Sequence, residues 1–147
     1  MKVIDYIRES CEMQNATEPN DFIGMALAYQ YAFRGMYLIE YNRDALICMG
    51  DMPTLICNVR AEPQWVEFRC MPAVFANGNI TTVNTRETIL RTLKMLIESY
   101  RILTPIEFYK MFEEIHPWDD GNGRVGSLLF NLVNGTIMDP IHPPKIW

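Results

Sequence analysis

The sequence predicts one mainly α-helical domain that carries a small β-hairpin. Three observations predict it. Apolar residues recur at helical spacing near the N-terminus and in long segments on either side of residues 50–83. Sharp capping and stop signals bound the helices of the C-terminal half. Between the helical segments, Gly50, Pro53, Pro63, Pro72, Asn77 and Gly78 punctuate the chain, and the apolar pattern there alternates as in a strand. A length of 147 residues fits a single domain, residues 1–147, with room to bury a core.

Taken in order, residues 1–14 read as a short amphipathic helix with Val3, Ile4, Ile7 and Cys11 on one face. NATEPND (15–21) is turn chemistry, and Asp21 is placed to cap the second helix. From Phe22 to about Met49 the chain is helix-like and rich in aromatics and Met, the composition of a core stripe. In residues 50–83 the prolines argue against helix. QWVEFRC (64–70) alternates as a strand, and PAVFANGNIT (72–81) reads as its partner with an Asn-Gly turn, so the hairpin is expected at about 64–81. Helix resumes at Asn84, with Glu87 at capping-box spacing and Ile89, Leu93, Leu96, Ile97 and Tyr100 as its apolar face. Thr104-Pro105-Ile106-Glu107 opens the next helix with an N-cap, a proline at N1 and a Glu at N3. Tyr109, Phe112 and Ile115 share one face of it, and Pro117 stops the helix near His116. The last helix is expected from Asn122 or Gly123 to Asn134, with Gly135 as its C-cap. A proline-rich tail, 139–147, contains His142 as a loop residue.

Composition narrows the function classes. Hydrophobic residues make up 49% and charged residues 21%, a folded profile. A net charge of −5 argues against a nucleic-acid partner held by a broad basic surface. Cys11, Cys48, Cys57 and Cys70 form no CxxC pair and no zinc pattern, so reduced, packed thiols are expected. MKVIDYIRES lacks the apolar core of a secretory signal, and no run is long enough to span a bilayer. The expectation is a soluble, cytoplasmic protein with no membrane partner.

The chemistry concentrates in IHPWDDGNGRVGSLLFNL, residues 115–132. A polar loop leads into a glycine-rich helix start. Helix N-termini present unpaired N–H groups and partial positive charge, so they accept anions. Gly121 and Gly123 clear side chains from the approach, and Arg124 adds a cation in the first turn. Asp119 and Asp120 would repel a bare phosphate but suit a Mg²⁺ ion bridging carboxylate and phosphate. His116 has the pKa range to take a proton from an attacking hydroxyl. Together these are the parts of a phosphate-transfer site. Gly121, Gly123 and Gly126 also satisfy GxGxxG, with Asp139 downstream, but a dinucleotide fold needs a strand before them, where the capping signature predicts a helix. The P-loop pattern is absent, and an EF-hand reading puts Asn131 where a Glu is required.

The string His116-Pro117-Trp118-Asp119-Asp120-Gly121-Asn122-Gly123-Arg124-Val125-Gly126-Ser127 resembles the signature of the Fic family, HPFx[D/E]GNGRxxR. The resemblance extends loosely over a core of about residues 20–137. It implies a helical Fic-like domain and transfer of a nucleotide monophosphate, usually AMP from ATP, to a protein Ser, Thr or Tyr. It implies His116 as the catalytic base, Asp120 as the Mg²⁺ ligand, and the amides of Gly121–Gly123 as an anion hole with Asn122 orienting the phosphate. It also implies Arg124 on phosphate oxygens and Trp118 as an apolar anchor. The flap, with Phe68, Arg69 and Val74, would align a target protein by strand addition. Gly123 resembles the transferases more than the Doc-type kinases, which carry Lys there. A toxin-type effector, with an antitoxin protein as partner, is compatible with this reading.

Two departures stand out. Ser127 replaces the pattern's final arginine, one turn after Arg124 on the same helix face. A charge-assisted contact is worth about 1.5–3 kcal/mol, so its loss would cost roughly 10- to 150-fold in nucleotide affinity or rate unless another group substitutes. This opens two alternatives: a non-ATP phosphate-containing donor, or a degenerate nucleotide- or protein-binding module. The family's inhibitory pattern, [S/T]xxxE[G/N], is not found. Arg86, Arg91 and Arg101 are the candidate stand-ins for the cation missing at 127.

Overall fold

The computed structural model describes residues 1–41, 51–62 and 66–146, with backbone only for 35–41 and 51. Within them lie six helices: α1 (Val3–Met13), α2 (Pro19–Tyr41), α3 (Asp51–Val59), α4 (Arg86–Glu98), α5 (Pro105–Ile115) and α6 (Asn122–Asn134). The expected helix over 42–49, the first residues of the expected strand at 64–70, Cys48 and Trp147 fall outside the described residues. No helix among the described residues is long and apolar enough to cross a membrane.

α6 is the hub, packing against α5, α2, α3 and α1. Its residues Val125, Leu128 and Leu129 are buried, as are Tyr6 of α1, Met25 of α2, Ile56 of α3 and Phe112 of α5. Burying this apolar surface is the main driving force of the fold. α5 approaches α6 closely at Gly126, where a Cβ would lie 2.2 Å from Glu113 Oε1 and 3.1 Å from Phe112 Cδ1. A larger residue there would force the two helices apart.

Local chemistry explains most helix ends. α5 carries the predicted capping box, with Thr104 accepting from the Glu107 amide and Glu107 accepting from the Thr104 amide. α6 ends at Gly135, in the left-handed region at φ 72°. α1 buries Tyr6, Ile7, Ser10 and Cys11, so its inner face is rotated from the predicted one, and Ile4 is exposed. α2 begins earlier than predicted: Pro19 opens it, and Asp21 lies inside its first turn, accepting from the Glu18 amide. The cap of α4 is also one residue later than predicted. Thr85 and Thr88 form its capping box, because the Asn84 side chain is occupied by Arg69 and Thr81.

Two expectations fail within 50–83. Asp51–Val59 is helical. Pro53 is tolerated because it stands in the first turn, where no intrahelical N–H bond is required. Among the described residues, 66–70 do not pair with 72–81 as the expected hairpin. Val66–Arg69 belongs to no strand, and one antiparallel bridge links Val74 to Ile80. Phe75 and Thr81 donate backbone bonds to Asn79 and Ala73 across the Asn77-Gly78 turn, where Gly78 has φ 86°. The alternating residues before it are used differently: the Arg69 amide bonds the Pro117 carbonyl, so this stretch braces the motif loop.

Candidate active site

The loop 116–121 is held in place before any ligand arrives. His116 ends α5 in the left-handed region, at φ 49° and ψ 64°. That conformation is uncommon for a residue with a Cβ and persists only when its surroundings enforce it. Arg69 enforces it. Its guanidinium is 1% exposed and donates to the carbonyls of His116, Ile115, Val83 and Met71 and to Asn84 Oδ1. Burial lowers its pKa, and Asp119 opposes that shift. Trp118 anchors the loop from below, packed on Phe112 and Phe68 with centroids 6.2 and 6.3 Å away. Asn122 brackets the Trp118 backbone, accepting from its amide and donating to its carbonyl. Gly121 then turns the chain at φ 90° into α6.

No side chain caps α6, so its first amides keep their hydrogen-bonding capacity. This N-terminal turn lies beside a cavity of about 430 Å³ whose wall includes His116, Gly123, Ser127, Glu113 and Val74. The His116 pKa is lowered, chiefly by burial and then by Arg69, while the Glu113 carbonyl opposes the shift. The imidazole is therefore neutral at pH 7, the form able to accept a proton. Phe75 meets its ring edge-on, with centroids 5.5 Å apart.

Of the residues expected at the site, His116, Gly123, Ser127 and Val74 wall the cavity. Asp120, Gly121, Asn122, Arg124, Phe68 and Arg69 stand outside that wall. Arg69 is buried as a brace and does not face a target, whereas Phe68 supports Trp118. The Asn122 side chain is fully engaged by Trp118. Arg124 is 2% exposed and donates to the Val59 carbonyl at 3.2 Å and to Asp120 at 3.4 Å, with Asp21 3.7 Å away. It ties α6 to α3 and α2. Ser127 Oγ lies 2.7 Å from the Tyr6 hydroxyl. Burial pushes that phenol up to about 12, so it stays protonated.

Three parts of the wall were not anticipated. Glu113 sits one turn before His116, 6% exposed, with Oε1 buried and unbonded. Burial raises its pKa to about 7. A folded pKa above the unfolded 4.5 means that its stabilising contribution is complete below 4.5 and is lost as pH rises through 7. Glu113→Gln is expected to remove a loss on the order of 3 kcal/mol between pH 4.5 and 8. Urea unfolding across that range checks this; an unchanged pH slope would refute it. The Glu113–His116 spacing of one helical turn was visible in the sequence, but the depth of the carboxyl was not.

Gln14, just past α1, is the second. A Cβ at Gly123 would lie 2.6 Å from its Cδ, so the carboxamide rests against that glycine. Ser10–Asn15 (SCEMQN) departs from the family's inhibitory pattern only in having Gln14 for Glu. Allowing that substitution would have found it. The third is the tail, whose Pro143–Ile146 completes the wall.

Residues 65–133 match the family model described as Fic/DOC family. No curated protein matches the chain. Among solved structures, it resembles a Fic domain containing signaling protein from Bacteroides thetaiotaomicron, with TM-score 0.58 and 19% identity. The likeness covers 88% of this chain and 59% of that one, so this chain spans less than two thirds of its structural relative. Residues 65–133 are thus similar to the Fic/DOC family, and the fold is that of a Fic domain containing protein.

Proposed function

We propose that this Fic domain is a Mg²⁺-dependent nucleotidyltransferase that modifies a protein Ser, Thr or Tyr hydroxyl, with ATP or another nucleotide as donor. The observation that carries the reading is the meeting of a neutral His116 and the uncapped start of α6 at one cavity. His116 accepts the hydroxyl proton as the oxygen attacks the donor's α-phosphorus. A new P–O bond forms, the bond to the outer phosphates breaks, and those phosphates leave. The amides at Gly121–Gly123 stabilise charge on the phosphoryl oxygens, and positioning supplies much of the remaining rate.

Asp120 is the residue that would hold Mg²⁺. Its side chain is 68% exposed at the start of α6. Among the described residues, no group of three or more His, Cys, Asp or Glu could hold a metal. The ion's other ligands would therefore be donor phosphates, a normal arrangement for Mg²⁺. When bound, it would neutralise phosphate charge.

Calorimetry with Mg²⁺ and nucleoside triphosphates tests the site. Wild type is expected to bind at least one donor, and Asp120→Ala to bind it tenfold more weakly or worse. Failure of wild type to bind any triphosphate would overturn the proposal. A second reading, a binding module with little catalysis, is favoured by the engagement of Arg124 elsewhere and by Gln14 against Gly123. Donor binding without transfer to any protein would select it.

A further inference from the structure

We propose that Lys145, carried on the proline-rich C-terminal strap, is the cation that binds the donor's outer phosphates. This deepens the transferase reading and rests on it. The motif supplies no cation to the cavity. Arg124 is turned onto Val59, Asp120 and Asp21, and position 127 is a serine bonded to Tyr6. Neither Arg86, Arg91 nor Arg101 reaches the wall. Arg86 bonds the Phe68 carbonyl and Glu67, and Arg101 lies over Tyr100. His116 is held neutral, and Glu113 brings no positive charge in either protonation state. Lys145 shares the wall with Ser127, Gly123 and His116 and brings a lysine ammonium to it.

The strap is not a loose end. Asn131, 0% exposed on α6, accepts from the Ile141 amide and donates to the Ile141 carbonyl. The Tyr29 hydroxyl donates to the Ile137 carbonyl. His142 bonds Glu9 at 2.9 Å and stacks on Tyr6, the residue that holds Ser127. Pro140, Pro143 and Pro144 restrict the backbone between these ties and Lys145. A buried side chain of the motif helix thus fixes the segment that brings Lys145 to the cavity. An ammonium on a flexible stem suits phosphate as a compact point charge.

The test compares Mg²⁺ complexes of nucleoside mono-, di- and triphosphates, with adenine, guanine, cytosine or uracil, by calorimetry on wild type, Lys145→Met, Lys145→Arg and Lys94→Met. Lys94 is an exposed lysine on α4 and controls for net charge. Wild type is expected to bind the di- and triphosphate more tightly than the monophosphate. Lys145→Met should weaken triphosphate binding about tenfold or more while leaving monophosphate binding unchanged. Lys145→Arg should restore most of the loss, and Lys94→Met should have no effect. Triphosphate binding that survives in Lys145→Met overturns the assignment alone. Equal weakening of monophosphate and triphosphate also overturns it, because the effect is then not on the outer phosphates. Absence of all nucleotide binding in wild type overturns the transferase reading and the assignment together.

Discussion

His116→Ala is expected to lower transfer to a protein hydroxyl by about 10²- to 10⁴-fold while sparing nucleotide binding. The imidazole is half-buried against Phe75, and its pKa is lowered first by burial and then by Arg69. The active form is the neutral ring, so the rate should hold through neutral pH. It should fall only below the ordinary histidine value of about 6.5. Radiolabel transfer from donor to acceptor, followed against pH, provides the measurement. Transfer retained by the alanine variant would remove His116 from the mechanism. An acidic limb above 6.5 would contradict its environment.

Arg69→Met should give the largest loss of stability, about 3 kcal/mol or more, because four carbonyls and Asn84 lose a donor in a buried setting. Lysine should not rescue it, since one ammonium cannot reproduce the guanidinium fork. The same substitution removes the positive charge that helps depress the His116 pKa. Any residual activity should therefore show its acidic limb moved to higher pH. A drop below about 1 kcal/mol in urea unfolding, or an unmoved limb, would mean Arg69 does not brace the catalytic loop.

The two arginines expected at the site, Arg69 in the flap and Arg124 on phosphate, are both bonded to their own chain. Arg69 and Arg124 are each 1–2% exposed and donate to carbonyls and side chains of their own chain, while Arg124 Nε is buried without a partner. Sequence spacing places an arginine in the first turn of a helix but does not set which way the side chain leaves it. That direction depends on α3 ending where Val59 offers a carbonyl and on α2 bringing Asp21 nearby. The same limit applies to Glu113. Its position one turn before His116 is local, while its raised pKa is created by α5 packing onto α6.

The sequence alone determined the parts whose physics is local. The capping box at Thr104, the stop at His116-Pro117, the turn at Asn77-Gly78 and the Gly135 cap each arise from chemistry within a few residues. The helical motif region was legible for the same reason. Helix α3 was missed because Pro53 was weighed as a breaker, although a first-turn proline costs little. Over its described residues, 66–70, the predicted strand is not formed, because alternation reports a two-sided environment without naming the partner; Arg69 is held by the motif loop. Only tertiary structure decided which residues meet at the cavity. Gln14, Glu113, His116, Gly123, Ser127 and Lys145 come from both ends of the chain. Long-range packing of α1 and the C-terminal strap on α6 brings them together, and no periodicity within the sequence encodes that meeting.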